Sequence, residues 1–225
     1  MTRLAIKNIS SNKWLNQTAL ALYILTTSIL YWAGLHQVPF HPDESTYIFM
    51  SADVEFFLKE PLSLAWQPGL ESDARMRYRM IDAPFTRNMI GLTRLILNLP
   101  PLPVDWNWSK NWEANLENGA FPDPSLFLTS RLSIAIFYPF SLILAYLLGK
   151  QLSNKRTGWI SLFFLSINTL VLLHTRRSMA ESGLLFTLLL SLWGLLTFKP
   201  SWLIAILVGL AFSAKQSTLS IIFIA

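Results

Sequence analysis

Long stretches with few or no charged side chains constrain this chain more than any other feature. The first runs from Trp14 to about Leu35 and carries no charge. Crossing a hydrocarbon core of about 30 Å takes roughly 17–25 apolar residues in a helix, because in lipid each backbone polar group must be bonded inside its own segment. Further apolar runs occupy 126–148, 159–173, 179–198 and 202–225. The composition agrees, with 52% hydrophobic and 14% charged residues against roughly 25% charged in soluble domains. These runs predict an all-α integral membrane protein, a single membrane domain over 1–225 with about five transmembrane helices.

The basic residues set the expected orientation. Arg3, Lys7 and Lys13 precede the first run, which by the positive-inside rule puts the N-terminus in the cytoplasm. At roughly 20 residues this run exceeds the 7–15-residue core of a secretory signal, and no A-x-A-like cleavage site follows, so it reads as a retained anchor. Lys150, Lys155 and Arg156 return the chain to the same side. The intervening segment 36–124, close to about 90 residues, is then extracytoplasmic and far longer than a simple connection. Within it Tyr47, Met50, Val54 and Phe57 recur at helical spacing after Pro42-Asp43. Phe85, Met89, Leu92 and Ile96 do so after Asp82-Ala83-Pro84, read as a cap and a first-turn proline. Both are expected as amphipathic surface helices, followed by an irregular piece carrying Pro100 to Pro103, Trp106, Trp108 and Trp112. Pro139 predicts a kink in the second span. The apolar end at Ala225, with no polar tail, predicts the front part of a longer protein.

Several function classes fall away. With no cysteine there is no disulfide, thiolate nucleophile or Cys-based metal site. The net charge of +5 is spread over membrane ends rather than a basic stripe interleaved with aromatics, so nucleic acid is not an expected partner. No P-loop or glycine-rich dinucleotide motif is present.

Three groups remain that suit chemistry at a membrane surface. Asp43 and Glu44 stand at the start of the first surface helix, where the helix N-terminus favours a carboxylate by about 0.3–1 kcal/mol. An ordinary helix cap is the alternative reading. Arg176 and Arg177 fall outside, against the positive-inside rule, and a guanidinium fork suits phosphate oxygens. Snorkelling to lipid headgroups explains them equally well. Glu181, four residues after Arg177, is expected to orient it through an i,i+4 pair. Lys215 lies about 14 residues into the fifth run, roughly 21 Å along a helix, and within reach of the same outer cavity, as is Arg131. His36, His41 and His174 also fall outside, but their spacing matches no zinc pattern, which leaves a divalent cation near His41 as a secondary reading.

Taken together the pattern resembles a known family. The acidic pair in a large first outer loop, Asp82-Ala83-Pro84-Phe85-Thr86-Arg87, Arg131 opening the second span, His174-x-Arg176-Arg177-x-Met179-x-Glu181 and Ser213-x-Lys215-x-Ser217 resemble the C-type glycosyltransferase superfamily. The similarity is to its protein mannosyltransferase and aminoarabinose transferase branch, the phospholipid-carrier-dependent enzymes of bacterial membranes. The resemblance implies a polyprenyl-phosphate sugar as donor and inverting transfer to a lipid, glycan or protein acceptor outside the cytoplasmic membrane; no cofactor is assigned, with a divalent metal as the secondary reading. It implies Asp43 as base and Glu44 as an aid to acceptor positioning. Arg176, Arg177 and Lys215 would hold the carrier phosphate, with Arg131 and Arg87 in lesser roles and His174, Glu181 and His41 in support. A chain that only binds or translocates lipid-linked sugars is the alternative of a different class. A solute transporter would instead show broken spans or repeated halves around a midplane site.

Overall fold

The computed structural model describes residues 2–69 and 73–218. It is 75% helical, with no strand among the described residues. The first helix, α1 (Thr2–Ala33), is followed by a 3-10 turn at Leu35–Gln37, and Trp14–Gln37 is long and apolar enough to cross a membrane. The segment after it folds as α2 (Pro42–Met50), α3 (Asp53–Lys59), a 3-10 turn at Pro61–Leu64, α4 (Ala74–Ile81), α5 (Phe85–Ile96) and α6 (Trp112–Glu117). Then come α7 (Pro124–Ala135), α8 (Phe137–Leu152), α9 (Lys155–Ile167), α10 (Thr169–Thr175), α11 (Ala180–Thr197) and α12 (Ser201–Ala214).

Among the described residues three helical stretches are long and apolar enough to cross a membrane, and a fourth if a bent pair counts as one span. Besides Trp14–Gln37 these are Pro124–Leu152, formed by α7 and α8, and Ala180–Thr197. The expectation of about five spans is corrected at two places. The third run is broken at Asn168, where α9 and α10 meet at 61°. Asn168 takes an extended backbone conformation and its side chain accepts from the Val171 N–H at 3.0 Å, so it caps a new helix instead of continuing the old one. The fifth run stops at Lys215, which is extended, leaving a helix of 14 residues, about 21 Å. Residues 219–225 of that expected span lie outside the described residues.

Pro139 acts as its chemistry requires. Having no N–H, it leaves the Ala135 carbonyl without an intrahelical donor. The Trp32 indole N–H takes that carbonyl at 3.1 Å, and the Ser182 hydroxyl takes Ile134 O at 2.7 Å. The irregularity of the second span is therefore where α1 and α11 are tied to it. Tyr31 stacks on Tyr138 at 3.8 Å between ring centroids in the same region. Tyr31, Leu35, Tyr138, Leu142, Tyr146 and Leu162 there form a core shared by α1, α8 and α9.

A second core joins the 36–123 segment to α7 through Ile48, Phe49, Met50, Ile90, Leu102, Leu126 and Ile134. Phe40 sits among Trp106, Trp112, Phe121 and Phe127, which orders the irregular proline and tryptophan piece. The single helix expected to carry Tyr47, Met50, Val54 and Phe57 is split into α2 and α3 at Ser51-Ala52, and the helix expected after Pro84 is present, but α5 packs differently from its apolar pattern. Its packed face carries Thr86, Arg87, Ile90, Gly91 and Arg94, whereas Leu92 is 47% and Ile96 77% exposed. The reason is charge: Arg94 is fully buried because Glu55 on α3 receives it at 2.6 and 2.8 Å, while Ser51 Oγ and Leu99 O take its remaining donors. A second correction concerns Asp82, which ends α4 rather than capping α5. Pro84 is the N-cap of α5, without a side-chain hydrogen bond.

Candidate functional site

The adjacent acids Asp43 and Glu44 part company. Pro42 pre-sets the first turn of α2, and successive residues of a helix point about 100° apart, so one acid turns inward and the other outward. Glu44 is fully buried and accepts five hydrogen bonds. Arg131 of α7 supplies two, from Nε at 2.8 Å and Nη2 at 2.7 Å. The His41 N–H donates at 3.0 Å, and Ser178 donates through its N–H at 2.9 Å and its hydroxyl at 3.0 Å. Arg131, 1% exposed, spends its other three N–H groups on Leu35, Val38 and Pro39 carbonyls and lies 4.1 Å from the centre of the Phe127 ring. Every donor of this guanidinium is thus matched by an acceptor. The node binds the end of α1, the start of α2, α7 and the α10–α11 turn in one place.

Asp43 is left outside this node. Its side chain is 44% exposed, its backbone N–H donates to His41 Nδ1 at 3.2 Å, and its carboxylate lies 3.5 Å from the same imidazole. The expected supporting residue His41 is therefore the N-cap of α2.

The two arginines of the α10–α11 turn also differ. Arg176 points back to the end of α1, where Nε donates to Tyr31 O at 3.1 Å and Nη2 lies 3.5 Å from Leu30 O. A cation suits the negative end of that helix. Gly34 makes room for it, since a Cβ there would lie 2.8 Å from the guanidinium carbon. Arg177 makes no side-chain hydrogen bond or ion pair among the described residues, and its Nε is shielded from solvent. The expected Arg177–Glu181 pair is corrected: α11 begins only at Ala180, so the two are not on one helix. Glu181 instead receives Lys215 Nζ at 3.1 Å, and its second carboxylate oxygen is buried without a partner. Lys215 is half-exposed at the end of α12 rather than enclosed within a span. His174, half-buried, ends α10.

Asp43, Glu181 and Lys215 share an electrostatic neighbourhood with Tyr47, one turn after Asp43, and with Asp82. Burial pushes the Tyr47 phenol well above its ordinary range, and the charges of Asp82, Glu181 and Asp43 add to that, with Arg87 opposing. Asp82 is likewise held above the usual carboxylate range, chiefly by burial. Arg87 and Lys215 oppose the rise, while Asp43 and Asp105 add to it. Tyr47, Asp82 and Asp105 were not among the expected site residues. In the sequence Tyr47 is one apolar position of a stripe, and Asp82 reads as a cap and as part of the Asp82-Ala83-Pro84 motif. Asp105 fixes the rear of this region by accepting Thr46 Oγ1 at 2.8 Å and Tyr78 Oη at 2.7 Å.

Arg87, expected as a lesser phosphate ligand, belongs to a different group. It is buried with Nε 3.4 Å from Asp53 Oδ2, beside Arg79, whose Nη2 is 2.7 Å from Asp53 Oδ1. The three line a cavity of about 400 Å³ with Val54, Phe57, Leu64, Pro84, Asn88 and Leu92. Among the described residues no group of three or more His, Asp or Glu side chains is placed to hold a metal ion.

The described residues form an all-helical protein with three helices, or four if the bent pair is one span, long and apolar enough to cross a membrane. No family model matches the chain, and no curated protein or solved structure matches it either.

Proposed function

We propose that the protein transfers a sugar, with inversion, from a polyprenyl-phosphate donor to a hydroxyl acceptor at the extracytoplasmic face of the cytoplasmic membrane. The observation that carries this reading is the division of labour between the adjacent acids, with Glu44 locked in a saturated buried node and Asp43 left half-exposed beside it. Asp43 is the base. It takes the acceptor proton as the acceptor oxygen attacks the anomeric carbon, and the bond from that carbon to the carrier phosphate breaks with its electron pair leaving on the phosphate oxygen. Arg177 and Lys215 are the cations for the phosphate, Arg177 because nothing else in the described chain engages it and Lys215 because it is half-exposed. Glu44, Arg131 and Arg176 act as positioning residues, since their hydrogen bonds are directed to the protein itself.

The test is transfer from a panel of synthetic polyprenyl-phosphate sugars by proteoliposomes containing the chain or its Asp43→Asn variant. Loss of turnover by about 10²–10⁴-fold, with donor binding and thermal stability kept, is the expected result. Equal turnover of both proteins at saturating donor and acceptor would remove Asp43 as base. Phosphate-dependent carrier binding that needs Arg177 but yields no product would favour the binding or translocation alternative.

A further inference from the structure

The cavity between α3, α4 and α5 has a composition that an internal structural site would not need. One carboxylate, Asp53, faces two guanidiniums, those of Arg79 and Arg87, and all three side chains are nearly removed from solvent. Arg79 takes the better geometry, reaching Asp53 through Nε at 3.1 and 3.2 Å and through Nη2 at 2.7 Å. Arg87 is left with a long 3.4 Å contact to Asp53, a 3.4 Å hydrogen bond from Nη1 to Asp82 O, and a buried Nε that makes no hydrogen bond. Burying a cation without a full counter-charge is costly, and a second anion would remove that cost. Burial holds the Arg87 guanidinium below its ordinary basicity while Asp53 works against the fall, in keeping with an incomplete counter-charge.

Apart from Asn88 the remaining walls are apolar, and they include Phe57, 63% exposed, and Leu92. Leu62, Ile81 and Ile96 nearby are also exposed apolar side chains of this segment. A free phosphate has no use for such walls, whereas a lipid does.

We propose that this cavity binds an anionic amphiphile, with the phosphate or carboxylate headgroup of a membrane lipid on Arg79 and Arg87 and its chain laid over Phe57, Leu64 and Leu92. The site is centred on Asp53 rather than on Asp43, with Arg87 reaching Asp82 of the neighbouring cluster, and it stands whether or not the chain transfers sugars.

The test is lipid retention by the purified full chain in a non-ionic detergent, read by native mass spectrometry. The probes are phosphatidylglycerol, phosphatidylcholine and inorganic phosphate, and the variants are Arg79→Gln and Leu92→Glu. The second variant adds a negative charge at a half-exposed position, so it tests the site without removing an internal ion pair. The expected result is phosphatidylglycerol retained about tenfold more than phosphatidylcholine, a preference lost in each folded variant, and no displacement by millimolar phosphate. Equal retention of the two lipids, or a preference unchanged in Leu92→Glu, overturns the proposal. Displacement of phosphatidylglycerol by millimolar phosphate overturns its lipid part, since the site would then be one for a small anion.

Discussion

Replacing Arg131 by Met should be among the most damaging single changes in the chain. The side chain fills similar volume, but five hydrogen bonds disappear at once. Glu44 would be left with only the His41 and Ser178 donors, and three carbonyls, of Leu35, Val38 and Pro39, would lose this buried donor. Breaking a buried pair by removing one member costs about 3–5 kcal/mol, because the surviving charge remains buried without its partner. For a chain of this size that corresponds to a fall in melting temperature of about 6–20 °C. The assay is thermal unfolding in detergent, followed by tryptophan fluorescence. Glu44→Leu alone should cost a similar amount, and the double variant should recover about 1–3 kcal/mol relative to the sum, since neither charge is then left alone. Recovery would be incomplete because the backbone donors and acceptors of the node stay orphaned. A melting temperature for Arg131→Met within about 2 °C of the parent would refute the assignment of the node as the joint between the 36–123 segment and the bundle.

Trp32→Phe should cost about 1–3 kcal/mol by leaving the Ala135 carbonyl unpaired, and much less in a Pro139→Ala background, where the new N–H of residue 139 can take it; paired thermal scans decide. Gly91→Ala should destabilise by about 1–3 kcal/mol, since its Cβ would lie 2.4 Å from Ser51 O and 2.5 Å from Val54 Cγ2, whereas Gly209→Ala meets nothing within 4 Å and should melt no lower than the parent. Asp82 should make stability fall with rising pH: its folded-state pKa is raised above the ordinary 3.8 by burial, so between these values the folded chain holds a proton that the unfolded chain has released. Asp82→Asn removes that term, so its melting temperature relative to the parent should rise across that window and then level off. A difference that stays constant with pH would dismiss the buried-acid reading of Asp82.

The helical class, the first membrane-length span, the start of α2 at Pro42 and an interruption of the second span close to Pro139 were legible from the amino-acid sequence, because each depends on side chains within one or two helical turns. Charge-free length, helix capping and the missing proline N–H act locally, and no distant residue was needed to read them. The interior of the site was different. Which of Asp43 and Glu44 turns inward depends on Arg131, 87 residues away, and on Ser178, 134 residues away, neither of which a local pattern can rank. For the same reason Arg176 and Arg177 looked equivalent until the end of α1 claimed the first, and Glu181 looked like the partner of Arg177 until Lys215 arrived from α12. The buried pairs Glu55–Arg94 and Asp53–Arg79, and the exposed apolar face they impose on α5, were invisible in sequence because periodicity reads charge as the outside of a helix. Local chemistry determined what the segments are, and only the tertiary structure decided which charges are paired within the protein and which are left unpaired among the described residues.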